Sequence, residues 1–313
     1  MPDEVTFVSA GEPCHAWHFR GRGDDFLVEG RRPCVVMAHG FGATKDSGLA
    51  QYAEAMSAAG LDVLAFDYRG FGANPQTRRT TVHPRAQQAD YHAAIAYARS
   101  IDGVDPARII VWGVSLSSGH VMAVAAADAT VAGVIAVTPA VDGLTAMRAA
   151  AMRAPLPAAR MGLAGIRDVV AALRRRPRVT IPVVGKPGAT AVISAPGALA
   201  GYAAMAGPTA VNAVPAASAL RVAGYRPHRR AAAVRCPVLV QIADNDLTAP
   251  PAPALKAAFR CRADVRHYPC DHFDVYPGGT WFAHVVAHQL HFLRRNFAPQ
   301  SPYAPVAPLV VTS

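Results

Sequence analysis

The sequence predicts an α/β fold, with a mostly parallel central sheet, helices on both faces and a helical insertion late in the chain. Three observations carry that prediction. Short continuous apolar runs recur along the chain, as strands buried on both faces of a sheet require. Helical patterns separate most of these runs, which implies βαβ units. The rhythm then breaks between about 141 and 235 before two further runs appear.

Taken in order, residues 5–10 and 14–19 alternate around Gly11-Glu12-Pro13, which predicts an antiparallel hairpin. Buried strands are predicted at 34–38, 61–66, 108–112, 133–137, 237–242 and 263–268. Helices are predicted near 47–59, 84–100, 118–128, 252–259 and 279–296. In the break, Ala-rich helical sequence over 144–176 precedes a Pro/Gly-punctuated stretch over 178–227 with no sheet pattern. The expected organisation is a core formed by 1–140 and 236–297, a cap or insertion at 141–235, and a proline-rich surface tail at 298–313. No internal repeat is visible.

With 313 residues, 52% hydrophobic and 17% charged, the chain has the composition of an ordinary globular protein. Its start lacks a basic segment followed by an apolar one, so no signal peptide is expected. The apolar stretch 121–137 carries Asp128 and reads as helix plus strand, not a membrane span. Five cysteines suit a reducing cytoplasmic setting, and all five are expected to be thiols. Cys261 and Cys270 bracket a strand that would hold them too far apart for a disulfide.

The net charge of +10 does not point to nucleic acid. It comes from arginines scattered among alanines, with only Lys45, Lys186 and Lys256 for lysine, and no aromatic–basic interleaving or zinc spacing accompanies it. The run Arg174-Arg175-Arg176-Pro177-Arg178 reads as a solvated helix end, with an anionic substrate or surface as the alternative. His284, His288 and His291 share one helical face, opposite Phe282, Val285, Val286 and Leu293, and read as a solvated side rather than a metal site. Neither metal nor cofactor is expected.

The chemistry is carried by Gly113-Val114-Ser115-Leu116-Ser117, which follows the run 109–112. A serine with small residues two places before and after it fits a tight strand-to-helix turn that presents its hydroxyl beside a helix N-terminus. An activated serine needs a base and an acid to orient that base. Asp246 follows the strand at 237–242, and His272 follows the strand at 263–268. Asp244 and His267 are the rivals for the two roles, with His267 placed inside a strand pattern.

These residues stand in the order Ser, Asp, His, and the chain resembles the α/β-hydrolase superfamily. It is similar to the small capped bacterial hydrolases related to dienelactone hydrolases and esterases. His39-Gly40-Phe41-Gly42 resembles that family's oxyanion loop, and Asp67-Tyr68-Arg69-Gly70-Phe71-Gly72 its second-strand turn. The segments around Asp246 and His272-Phe273-Asp274 resemble its acid and histidine loops. One departure is Ser117, where the family usually has the second elbow glycine; serine is small enough for the turn.

The resemblance implies that Ser115 is the nucleophile, His272 the base and Asp246 the acid. It implies an oxyanion hole from the backbone N–H groups of Phe41 and Leu116. His39, Asp67 and Arg69 are expected to be structural, and Ser117 and Ser118 to satisfy N–H groups at the helix start. Leu144, Met147, Met152, Met161 and Tyr202 are candidates for the substrate pocket. The expected activity is hydrolysis of a small-molecule carboxylic ester through an acyl-Ser115 intermediate. A thioesterase, peptidase or acyltransferase of specialised metabolism, and a noncatalytic binding module on the same scaffold, are the alternatives. Neither nucleic acid nor membrane is expected as a partner, and a homodimer is left open.

Overall fold

The computed structural model describes residues 1–75 and 81–299. From residue 300 onward, the expected tail lies outside the described residues. Eight strands form one sheet: β1 (Asp3–Ser9), β2 (Glu12–Phe19), β3 (Arg32–Ala38), β4 (Asp62–Phe66), β5 (Val104–Val114), β6 (Gly133–Val137), β9 (Val238–Ala243) and β10 (Asp264–Tyr268). Two short strands within the late insertion, β7 (Thr180–Ile181) and β8 (Val214–Pro215), pair only with each other. The order across the large sheet is β1-β2-β4-β3-β5-β6-β9-β10. Antiparallel pairing is confined to β1–β2 and β2–β4, and the rest is parallel.

The hairpin forms, but its turn is Ala10-Gly11 rather than Gly11–Pro13, with Ser9 opposite Glu12. Both turn residues take positive φ, 47° and 81°, as a two-residue turn matched to strand twist requires. Strands β3, β4, β6 and β9 are apolar and buried along their length or nearly so. β10 departs from that expectation: it is the sheet's edge, so Val265 and His267 keep solvent contact.

Helices α1 (Leu49–Ala58), α2 (Pro84–Arg99) and α3 (Leu116–Ala127) follow β3, β4 and β5, while α8 (Pro251–Cys261) and α9 (Phe282–Phe297) flank β10. α1 packs with α9, and α2 with α3, so the sheet is covered on both faces. On α9, Val285 and Leu293 are buried as the sequence suggests. So is Gln289, which accepts from Trp112 Nε1 at 3.1 Å and donates to Gln241 Oε1 at 2.7 Å. Gln241 in turn donates to the Tyr268 hydroxyl at 2.7 Å. A fully connected buried network of this kind satisfies polar atoms that would otherwise be costly to bury. His284 and His291 are exposed, while His288 is half-buried against the Tyr268 hydroxyl at 2.9 Å.

Between β6 and β9 lie α4 (Gly143–Arg153), α5 (Pro155–Leu173), α6 (Ala198–Met205), α7 (Ala217–Ala223) and a 3-10 segment, Pro227–Ala233. The Ala-rich stretch is two helices, not one. Pro155 has no N–H and forces Ala154 out of the helical region, to φ −146° and ψ 79°, so α4 stops there and α5 starts with proline in its first turn. Arg174, Arg175 and Arg176 are exposed past the end of α5. Arg178 instead clamps buried Asp168 through Nε and Nη2 at 2.7 and 2.6 Å. All five cysteines are free thiols, and burial raises Cys14 and Cys270 to about 12.

Candidate active site

β5 ends at Val114 and α3 begins at Leu116, so Ser115 alone makes the turn, at φ 57° and ψ −119°. A non-glycine residue there is strained and must be held. The restraint comes from β6 and the loop behind it: Ser115 N donates to Val137 O at 2.9 Å, and Ser115 O accepts from Ala140 N at 3.0 Å. Gly113 is required because a Cβ at that position would lie 2.5 Å from the Ser117 carbonyl carbon.

Ser117 and Ser118 depart from the expected role, because they donate to strand-end carbonyls rather than accept from helix N–H groups. Ser117 Oγ donates to His39 O at 2.6 Å and meets the Tyr68 hydroxyl, while Ser118 Oγ lies 2.7 and 2.8 Å from Gly113 O and Val137 O. Ser117 therefore ties the elbow to the loop that carries Phe41. A glycine there would lose that tie.

Adjacent parallel strands deliver the other two groups. Past their ends the loops stay zipped, with Asp244 N donating to Tyr268 O at 2.8 Å and Asn245 N to Cys270 O at 3.1 Å. Asp246 Oδ2 then accepts from His272 Nδ1 at 2.5 Å, and His272 Nε2 lies 3.0 Å from Ser115 Oγ. The other carboxylate oxygen, Oδ1, accepts from the Thr248 and Ala249 N–H groups at 2.8 and 2.7 Å. With both carboxylate oxygens engaged, the imidazole is left one tautomer: a proton on Nδ1 and an acceptor at Nε2 facing the hydroxyl. All three side chains are buried. A hydroxyl on an imidazole on a carboxylate is the geometry that general-base activation of an alcohol needs.

The loop of residues 39–47 is clamped from both sides. Asp67 accepts from Lys45 N at 2.7 Å and from Lys45 Nζ at 2.8 Å, both buried. From the insertion, Tyr202 donates to Gly42 O at 2.9 Å and Thr209 N donates to Asp46 Oδ2 at 3.0 Å. Arg69 pairs with buried Asp90, as a structural role predicts. His39 is buried, which lowers its basicity, and its Nδ1 donates to Gly40 O at 2.9 Å.

Ser115, Phe41 and Leu116 open onto a cavity of about 310 Å³, walled by the insertion. Met147 and Ala150 from α4, Met161 from α5 and Val222 from α7 contribute its apolar surface. Of the five pocket candidates, only Met147 and Met161 line it. Met152 points to solvent, 80% exposed, because it lies on the outer face of α4. Leu144 is half-buried in the first turn of α4 and off the cavity wall. Tyr202 is buried and braces the Phe41 loop instead.

Tyr225, which sequence reasoning missed, stands on the cavity wall and donates to His120 Nδ1 at 2.9 Å while accepting from Gln88 Nε2 at 3.0 Å. His120 Nε2 faces Gln87 Oε1 at 3.1 Å. Burial pushes His120 down to about 3, so the ring is neutral and relays hydrogen bonds without charge. No local pattern marks Tyr225, since it comes from an irregular segment. Tyr68 sits in the Asp67-Tyr68-Arg69-Gly70 turn and was within reach of sequence reasoning. Among the described residues, no group of three His, Cys, Asp or Glu side chains is placed to hold a metal ion.

The sheet order, the helices on both faces and the serine at the strand-to-helix turn define an α/β hydrolase. The family model for serine aminopeptidase, S33, matches residues 29–279, and the chain belongs to that family of serine hydrolases. It is 36% identical over 297 residues to the quorum-quenching protein AidA of Acinetobacter baumannii, covering 94% of this chain and 95% of that one. Over 121 residues it is 37% identical to thiohydrolase aneE of Aspergillus aculeatus, covering 39% of this chain and 38% of that one. The solved structure of DcsB with its substrate analogue superposes with a TM-score of 0.78 over 95% of this chain and 99% of that one, at 20% identity, a likeness of fold.

Proposed function

We propose that the protein hydrolyses a carboxylic ester of a small molecule with an apolar acyl group, through an acyl-Ser115 intermediate. The observation that carries this reading is the 3.0 Å approach of His272 Nε2 to Ser115 Oγ at the mouth of an apolar cavity. His272 takes the Ser115 proton as Oγ attacks the carbonyl carbon, and Asp246 stabilises the imidazolium that forms. The carbonyl oxygen, now negative, sits against the Phe41 and Leu116 backbone N–H groups. Each such donor contributes roughly 2.7–4 kcal/mol in a comparable enzyme. His272 returns its proton to the leaving alkoxide, and water repeats the sequence to release the acid. The insertion acts as a cap that sets acyl preference, and the chain needs no metal or cofactor for these steps.

Two neighbouring activities are less well supported. A peptidase that trims free N-termini needs a carboxylate free to hold an ammonium group. Asp142 is the one acidic side chain on the cavity wall among the described residues, and it is spent capping α4 at 3.1 and 3.2 Å and pairing with Arg226 at 3.5 Å. Thioester cleavage or acyl transfer would use the same atoms, and the thiohydrolase likeness over 121 residues favours it as the second reading. A noncatalytic module has no use for all three buried side chains. Five thiols, four of them buried, suit a reducing compartment such as the cytoplasm.

The test is hydrolysis of p-nitrophenyl esters and matched thioesters by the wild type and Ser115→Ala, together with labelling by a fluorophosphonate. Wild type should turn over esters and take the label, and the variant should do neither. Undiminished ester turnover by Ser115→Ala would sink the proposal; faster thioester than ester turnover would move it to the second reading.

A further inference from the structure

α5 is packed inside out. Its only buried residues are Gly165 and Asp168. Gly165 allows close approach, because a Cβ there would lie 2.7 Å from the Leu220 side chain of α7. Apart from Met161, its large apolar side chains point the other way: Leu156, Leu163, Ile166, Val169, Val170 and Leu173 are 38–80% exposed, joined by Met152 at the end of α4. Seven of the fourteen exposed large hydrophobic side chains among the described residues fall within 152–173. A single exposed leucine is ordinary, but a contiguous stripe marks an interaction surface.

The spacing makes the stripe continuous. Leu156, Leu163 and Val170 repeat every seven residues, close to two helical turns, and so form a row along α5. Arg160, Arg167 and Arg174, all exposed, form a parallel row one turn over. Arg175 and Arg176 extend the positive charge past the C-terminal end of that row, and Arg148 on α4 is exposed as well. From 143 to 178 the only carboxylate is Asp168, which is buried and held by Arg178. The segment is therefore apolar along its centre and cationic along its flank, and it contributes no exposed carboxylate of its own.

That charge pattern selects the occupant. A second copy seated on the stripe would bring two arginine rows together with no acid to neutralise them. An anionic lipid surface supplies apolar depth for the leucines and phosphates for the arginines. We propose that the α4–α5 face docks onto an anionic lipid surface, lying in the interface without crossing it. No helix among the described residues is long and apolar enough to cross a membrane. The inner sides of the same two helices place Met147 and Met161 on the cavity wall, so docking sets the cavity roof against the lipid. Resting on the hydrolase reading, the substrate class narrows to amphiphilic acyl esters that partition into a bilayer.

Flotation of the full chain with vesicles tests the docking without reference to activity. One set is phosphatidylcholine alone and the other about a third phosphatidylglycerol, each at low and at roughly 0.5 M salt. The wild type should float with the anionic vesicles only, and less at high salt. Ile166→Glu/Leu173→Glu and Arg160→Ser/Arg167→Ser/Arg174→Ser should each lower vesicle binding by about tenfold or more. Turnover of a soluble p-nitrophenyl ester should stay within about twofold of wild type in both variants, because none of these five side chains lines the cavity.

Equal binding to neutral vesicles, or no binding, overturns the proposal. So does a dimer in sedimentation that Ile166→Glu/Leu173→Glu dissolves, or binding that appears only once residues 300–313 are removed. Vesicle binding that follows the predicted pattern in a chain with no ester turnover would remove the hydrolase reading and leave the docking surface standing.

Discussion

Asp244 and His267 meet side chain to side chain at 2.6 Å, at the ends of the same two strands that bring Asp246 and His272 to 2.5 Å. The outer pair is 41% and 47% exposed; the inner pair is 1% and 4% exposed. Only the inner imidazole faces a hydroxyl. Asp246→Asn should therefore lower ester turnover by roughly 10⁴-fold, the loss seen when the equivalent tautomer is lost in a comparable enzyme. Asp244→Asn should leave turnover within about twofold, since an exposed pair contributes little. Steady-state kinetics of the two variants checks both, and equal losses would exchange the assignments.

On the proposed reading, the cavity wall sets acyl length. Ala150→Trp should fill the space beside Met147 and raise KM for long-chain p-nitrophenyl esters by about tenfold or more, since one misfit group costs roughly 1–3 kcal/mol. Acetate ester turnover should hardly change. A uniform loss across chain lengths would mean that the acyl group lies elsewhere.

Buried His120 makes the fold acid-sensitive. Burial holds its folded value near 3, below the ordinary 6.5, so below pH 6.5 the unfolded chain binds a proton that the native state refuses. The stability it contributes is complete above pH 6.5 and is lost as pH falls toward 3. The loss is about 1.4 kcal/mol per pH unit within that window. His39 shifts in the same direction. Urea unfolding at pH 7.5 and 5 should show a smaller difference for His120→Gln than for wild type, and an unchanged difference would show that His120 is not the sensor.

Asp168 holds the insertion together. It accepts from Arg178 Nε and Nη2, from Val179 N at 3.0 Å and from Ala217 N at 3.0 Å, joining α5 to β7 and α7. Asp168→Ala should cost about 3 kcal/mol, because two backbone donors lose their acceptor and Arg178, partly exposed, softens the rest. Denaturant midpoints would read the loss. The change should also loosen the cavity roof and raise KM for esters.

Much of the core was legible because its signals are local. Buried strands announce themselves as short apolar runs, and Ser115, Asp246 and His272 each sit within a few residues of such a run's end. Glycine and proline marked the turns, although the hairpin turn began one residue earlier and was one residue shorter than expected, because φ at Ala10, a property of the paired backbone, decided it.

The insertion was much less legible. Alanine-rich sequence is helical whichever side faces inward, so the sequence offered Met147, Met152 and Met161 as equals. Packing of Gly165 onto α7 fixed the rotation of α5, turning Met161 to the cavity and Leu163 and Ile166 to solvent.

By itself, then, the sequence determined the parallel sheet, the strained serine turn and the order of its partners, since these follow from periodicity and from residues adjacent along the chain. The tertiary structure alone decided that the rival pair Asp244 and His267 meets separately at the exposed edge, that Tyr202 braces a loop, and that α5 presents its apolar side outward. Those depend on how separately formed elements rotate and dock, and residues far apart along the chain set that geometry together.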